Sequence, residues 1–504
     1  MKSMFKAVAT VTIFSVLTRL LGFFFRIFLT RKLNAEGIGL FQMATSILGV
    51  FMTLISSGLP LTTAKSVSKY EANKDFSKRD KTVGAALVIA LIVAVLSSLL
   101  VLILKHVWGV ILTDSRAVEI LIVLIPSIIF SAVYAILRGA LWGQNDFFNC
   151  GLTELLEQLI RFALTFILLI NVSDYFIATK YSAYAFNLTC LLSAIITLFL
   201  YLKKGKMSFK KGEYKKVLNS AAPITGVRLA SSLVQPLTTL IIPSMLVLSG
   251  YTSSEAISCF GVVMGMTFPM LFVPMSIIGS ISMVLIPSLS VMHSKKEFDK
   301  IKTNIRSSIN ISTFISMIFI PLYLSVGNLI GIVLFDNSMS GILLQLSAIC
   351  ILPITLCNLS GSVLNALNLE KKSFTNYILG SLLLFACLII FTPLVGIHSI
   401  IISFFLSMSL ISFLNLKKIK AEIGDLSLNF TSTIAKYCFI IIPCSLLGHF
   451  VSNICQNYLN LFFSSVAGGS TAILCVLILS KIFNLFDLKD FFALLKSRKK
   501  SKTT

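Results

Sequence analysis

Apolar runs of about 20 residues recur from one end of this chain to the other, and nothing constrains its folding more. Hydrocarbon offers no water to backbone N–H and C=O groups, so such runs fold as helices that close their own hydrogen bonds. The composition agrees. Mean hydropathy is +0.93, with 56% hydrophobic and 12% charged residues, a balance foreign to soluble globular domains. Runs bounded by charged or Gly/Pro/Asn clusters predict spans near 5–30, 37–64, 83–104, 117–141, 150–171 and 176–202. Six more are expected near 218–248, 256–290, 304–334, 339–367, 373–393 and 397–416, and a final pair near 431–452 and 460–482. The fold class is therefore an all-α integral membrane protein of about 14 transmembrane helices. The first span is longer than a secretory signal and lacks a small-residue cleavage site, so it reads as a retained helix.

A net charge of +23 could suggest nucleic acid, but its placement says otherwise. Lys and Arg gather at Lys65–Lys81, Lys203–Lys216, Lys295–Arg306, Lys417–Lys420 and Lys496–Lys502, all on one side of the expected topology. The other side holds Arg31, Lys32, Lys105, Arg116 and Lys180. This bias puts both termini in the cytoplasm and makes membrane lipids, not nucleic acid, the neighbours of the basic loops.

A weak internal repeat divides the chain. At an offset of 222 residues, Lys6 matches Arg228, Gly39 matches Gly261, and Ser66 and Ser68 match Ser288 and Ser290. The series continues with Lys74, Asp75 and Phe76 against Lys296, Glu297 and Phe298, and Gly139 against Gly361. Six spans per unit is even, so both halves insert in the same sense and are related by a pseudo-two-fold axis along the membrane normal. The expected organisation is an N-lobe of six helices (1–204), a C-lobe of six (205–420), two extra helices (421–483) and a basic tail (484–504). The two lobes are expected to flank a central cavity.

Charges inside the spans are costly and mark function or pairing. Arg19 and Arg26 lie seven residues apart, on one face of the first helix, with Gly22 between them. Guanidinium stays charged and grips phosphate with two parallel hydrogen bonds, so this pair suits a pyrophosphate. Glu154, Glu157 and Arg161 form one stripe on the fifth span, where Glu157 can reach Arg161 and Glu154 is left to meet an arginine elsewhere. Arg228 opens the seventh span beside Pro223, Pro236 and Pro243, which predict bends. The same charges could simply tie helices together or snorkel to the interface, and both readings stay open at this point.

Chemistry-bearing motifs are missing. There is no phosphate-binding Gly-x-x-x-x-Gly-Lys, so no nucleotide motor is expected. His106, His293, His398 and His449 are isolated, and the ten cysteines include no Cys-x-x-Cys, which predicts no metal, no cofactor and no enzyme.

Several stretches resemble a known family. They are Thr18-Arg-Leu-Leu-Gly-Phe-Phe-Phe-Arg26, Asn34-Ala-Glu-Gly-Ile-Gly-Leu-Phe-Gln42, Ser57-Gly-Leu-Pro60, Ala64-Lys-Ser-Val-Ser68 and the expected loop Arg138-Gly-Ala-Leu-Trp-Gly-Gln-Asn145. Together they resemble the stage V sporulation protein B group of the multidrug/oligosaccharidyl-lipid/polysaccharide exporter superfamily. The resemblance implies a flippase for an undecaprenyl-pyrophosphate-linked saccharide, a peptidoglycan precursor of the vegetative wall or spore cortex, with wall-synthesis proteins as partners. It implies substrate contacts for Arg19 and Arg26 and makes Glu36 a gating candidate at the external mouth; Arg228 is a further expected substrate contact, and Glu154, Glu157 and Arg161 are the expected charge partners. Related lipid II flippases also carry arginines in helices two and eight, whereas spans 37–64 and 256–290 here contain none. A cation-coupled multidrug antiporter of the same superfamily and a non-transporting scaffold are the alternatives.

Overall fold

A computed structural model describes residues 2–210, 213–426, 430–483 and 485. The basic tail expected from 484 onward lies outside the described residues except for Leu485. Among the described residues every regular element is helical. Two compact units divide at residue 261.

The first unit holds α1 (Lys2–Ser56), α2 (Gly58–Ala72), α3 (Phe76–Ile103), α4 (Lys105–Ile111), α5 (Ser115–Leu124) and α6 (Pro126–Gly143). It continues with α7 (Phe147–Leu169), α8 (Tyr175–Leu202), α9 (Tyr214–Ser232), α10 (Val234–Leu248) and α11 (Ser253–Gly261). The second opens with a π-turn (Val262–Thr267), then α12 (Phe268–Leu271), α13 (Val273–Ser294), α14 (Phe298–Phe335) and α15 (Ser338–Ser347). It closes with α16 (Ile351–Ala366), α17 (Glu370–Val395), α18 (His398–Ile423), α19 (Phe430–Gln456) and α20 (Leu461–Ile482).

Twelve stretches among the described residues are long and apolar enough to cross a membrane. The first, Thr10–Ala72, is broken at Asn34 into two passes, and charged α7 adds another, which gives fourteen. Several expected spans are broken where proline removes a donor and crowds the carbonyl four residues back. Pro236 follows the break between α9 and α10, and Pro126 opens α6. The expected span 256–290 is divided by the π-turn and by α12. The stretch Arg138–Asn145, expected as a loop, instead continues α6 to Gly143. With the apolar run Ala140-Leu141-Trp142 inside that stretch, the helix gains more by running on than by breaking.

The repeat is visible in the turns. Lys74, Asn145, Lys296 and Asn368 all have φ near +60°. In each, that residue's N–H bonds the carbonyl three residues back and the next N–H bonds the carbonyl five back: Lys74 to Glu71 and Asp75 to Tyr70, then Asn145 to Trp142 and Asp146 to Leu141. The second pair repeats it, Lys296 to His293 and Glu297 to Met292, Asn368 to Asn365 and Leu369 to Leu364. This left-handed cap satisfies carbonyls that a helix end leaves orphaned. One crossing inside the first unit follows the same offset. A Cβ added to Gly39 would lie 2.3 Å from the Ile257 carbonyl oxygen, and one added to Gly261 would lie 1.9 Å from that of Ala35. The 222-residue offset carries Ala35 onto Ile257 and Gly39 onto Gly261, so each repeat offers the other a bare backbone.

Candidate functional site

Arg26 and Gln42 are sixteen residues apart, a separation of about 24 Å along an unbroken helix. Yet the Gln42 amide, oriented with its oxygen toward the guanidinium, accepts from Nη1 and Nη2 of Arg26 at 3.1 and 2.6 Å. The break at Asn34 makes this possible. Its φ of 57° and ψ of −176° fall in a region that residues with a side chain rarely adopt, and the chain doubles back there. Arg26 and Gln42 therefore face one another from two passes of α1.

Between those passes and helices α7 and α8 lies a cavity of about 300 Å³. Arg26, Gln42, Thr45, Gln158, Arg161 and Ser182 supply most of its polar wall, with Phe25, Phe41 and Phe186 among the apolar side chains. Gly22 opens onto it, and a Cβ there would meet nothing within 4 Å. Thr45 and Ser182 each donate their hydroxyl proton to a carbonyl four residues back, Phe41 and Ala178. The donors left to a ligand are therefore mainly guanidinium and amide N–H groups, and no carboxylate is among the described lining residues. Such a wall suits an oxyanion.

The expected site residues separate into distinct places. Arg161 lines the cavity and donates from Nη2 to Glu157 one turn earlier, as their spacing predicts. Its guanidinium also sits over the Phe186 ring at 5.0 Å. Glu154, left by the spacing to meet an arginine elsewhere, pairs with Arg138 of α6 at 2.5 Å. Arg19 lies two turns before Arg26, about 10 Å along the axis, exposed and outside the described cavity lining. Arg228 is exposed on α9. Glu36 follows the Asn34 break and accepts from Arg116 at 2.5 Å, while Arg116 also bonds Asp114 at 2.6 Å and the Tyr175 hydroxyl at 3.0 Å. Burial pushes the Asp114 carboxyl up, but the Arg116 side-chain and backbone donors outweigh it, and the group ends below the usual carboxylate range.

Three polar residues of this region escape sequence reasoning: Gln42, Gln158 and Arg138. Gln158 lies on the stripe 154, 157, 158, 161, 165, so the spacing that found the charges could have found it. Gln42 could not be assigned to Arg26 without the turn at Asn34.

A family model described as "Polysaccharide biosynthesis protein" matches residues 4–293, more than half of the chain. The chain belongs to that family. Stage V sporulation protein B of Bacillus subtilis (strain 168) is 24% identical over 382 residues, covering 73% of this chain and 73% of that protein. Lipid II flippase MurJ of the same organism is 20% identical over 409 residues, covering 73% and 74%. A solved structure of Lipid II flippase MurJ in an inward closed conformation matches with a TM-score of 0.71 at 16% identity, covering 94% of this chain and 98% of that one. At that identity the likeness is one of fold. The resemblance to the stage V sporulation protein B group therefore extends beyond the motifs that first carried it, and it places the chain among the exporters of that superfamily.

Proposed function

We propose that this protein is a flippase, not an enzyme, that moves an undecaprenyl-pyrophosphate-linked saccharide outward across the bacterial cytoplasmic membrane by alternating access. The observation that carries this reading is the cavity between Arg26 and Arg161, a wall of guanidinium and amide donors among membrane-spanning helices. Membership of a polysaccharide biosynthesis family and likeness to a lipid II flippase point to the same substrate class. A peptidoglycan precursor, destined for the vegetative wall or the spore cortex, is the saccharide proposed. Arg26 is the central headgroup ligand, with Arg19 and Arg228 as further contacts on the substrate's path. Glu36, through Arg116, is the proposed gate. The lobes 1–204 and 205–420 are the moving bodies in this reading, and the basic loops put both termini in the cytoplasm.

A diphosphate headgroup carries about two negative charges, and the potential favours its outward movement by roughly 2.3 kcal/mol per charge per 100 mV. In proteoliposomes of defined orientation, collapsing the potential should therefore slow flipping, and adding ATP should change nothing. Arg26→Ala should abolish flipping with the protein still inserted, and Arg26→Lys should restore only part of it, because an ammonium lacks the two-pronged grip. Gly22→Val, which fills the open wall without touching a charge, should also slow flipping. Full activity in Arg26→Ala, or export of an organic cation in place of the lipid, would overturn the reading.

A further inference from the structure

Arg161 carries two signs of an unfinished ligand set. One is the carboxylate it already holds: Glu157 accepts from Nη2 alone. The other is its Nε, which is buried and has no hydrogen-bond partner. A guanidinium binds an oxyanion best through two parallel N–H groups, so Glu157 leaves half of that fork unused. The Phe186 ring at 5.0 Å sets the guanidinium plane, and Phe186 and Arg161 both face the cavity.

The cavity's size decides what can complete the fork. About 300 Å³ is the volume of roughly ten waters at ~30 Å³ each, enough for a diphosphate-sized group but not for that group with an oligosaccharide attached. Arg26, Gln42 and Gln158 supply the remaining donors around it. On entering, an oxyanion meets a carboxylate already bound to one of its two arginines. Two anions on one guanidinium repel, so one must yield. The Glu157 carboxyl is about one-fifth exposed, so it can leave Nη2 for water.

We infer that Glu157 is a resident counter-anion that partners and orients Arg161 in the empty site, and that a phosphate- or diphosphate-class oxyanion displaces it from Arg161 on binding. Only the identity of that oxyanion as a lipid headgroup rests on the flippase reading. The exchange avoids a bare guanidinium in the membrane while the site waits for ligand, and it weakens binding by the strength of the bond that must first be broken. Glu157 is thus a positioning residue whose removal should tighten binding, the reverse of what loss of a structural ion pair does.

The test is calorimetric titration of the full-length protein in nanodiscs with inorganic pyrophosphate, then with orthophosphate. The wild type should bind pyrophosphate with one site, and Glu157→Gln should bind it about tenfold or more tightly. Arg161→Gln should lose at least tenfold, and the double variant Glu157→Gln/Arg161→Gln should show no gain over Arg161→Gln alone. Glu157→Asp, too short to reach Nη2, guards against a misfolded first variant and should also tighten binding. Unchanged or weaker binding in both Glu157 variants, with the wild type binding normally, would overturn the exchange but leave the oxyanion site standing. No binding by any protein would overturn the oxyanion site itself. Equal affinity for ortho- and pyrophosphate would assign the cavity to a free phosphate, whereas competition by an undecaprenyl-diphosphate saccharide would assign it to the headgroup.

Discussion

The two compact units handle buried polarity in opposite ways. Inside the first, charged side chains find partners within the spans: Arg138 with the Glu154 carboxylate, Arg161 with that of Glu157, and Arg26 with the neutral Gln42 amide. Inside the second, the buried partners are neutral. Ser316 meets Thr355 at 2.7 Å, Thr392 meets Ser399 at 2.9 Å, and Asn415 bonds both Asn376 (2.9 Å) and Ser360 (3.1 Å). Its described ion pairs, Lys300–Glu297, Lys418–Glu422 and Lys420–Asp425, lie at helix ends. Neutral hydrogen-bonded pairs fix helices at small cost, whereas a charge in hydrocarbon is retained where it does something. The first unit thus carries charge inside its spans, whereas the second is bonded there by hydroxyls and amides.

The symmetric crossing gives the largest expected effect. Gly39→Ala and Gly261→Ala each press a methyl against a backbone carbonyl within 2.3 Å, a clash that no side-chain rotation relieves. Both should cost more than about 4 kcal/mol and sharply lower the unfolding temperature. A large difference between the two would mean that the crossing is not shared equally by the repeats. Thermal unfolding of the detergent-solubilised variants measures it.

Why some of this was legible in the sequence and some was not follows from range. The passes, the proline breaks and the Glu157–Arg161 pair depend on residues within a turn or two of one another, and spacing reports them directly. The partners of Arg26 and Glu154 depend on how helices meet. Gln42 reaches Arg26 only because Asn34 adopts a conformation its side chain disfavours, and no local pattern announces that. Arg138 was hidden for a different reason: the Gly and Asn near its end of α6 suggested a loop, while the apolar residues between them favour continuing the helix. Arg19 and Arg26 share a face but not a height, and a cavity of about 300 Å³ reaches one of them.

Contrasting the buried pairs gives the next largest effect. Arg138→Leu leaves the Glu154 carboxylate in the span without its arginine and should cost about 2 kcal/mol, less than the roughly 3–5 kcal/mol for a fully buried ion pair, since both side chains are about a third exposed. In the second unit, replacing Ser316 with Ala and Thr355 with Val together removes both ends of one neutral bond and should cost about 1 kcal/mol or less. Equal costs would erase the distinction between the two interiors.

The smallest effect tests how far the four matching turns have diverged. Asp75 and Asp146 accept from the backbone N–H three residues on, Lys78 and Asn149, and so cap the helices they open. Glu297 makes no such bond, and Leu369 has no oxygen to offer. A side-chain cap contributes about 1 kcal/mol. Asp146→Ala should therefore cost about that amount, while Glu297→Ala should stay within about 0.5 kcal/mol of the parent. The pH dependence carries the same sign. Burial raises the Asp146 pKa, but hydrogen bonds from Lys204 and Asn149 prevail and leave it lowered. A carboxylate with a depressed folded value contributes its stability in full above the unfolded value of about 3.9 and loses it as pH falls through the folded value. The cost of Asp146→Ala should accordingly be constant from pH 9 to pH 5 and shrink only below about pH 4, where the parent loses the same bond. A cost that vanished at neutral pH, or a matching cost in Glu297→Ala, would show that the turns share their energetics as well as their geometry.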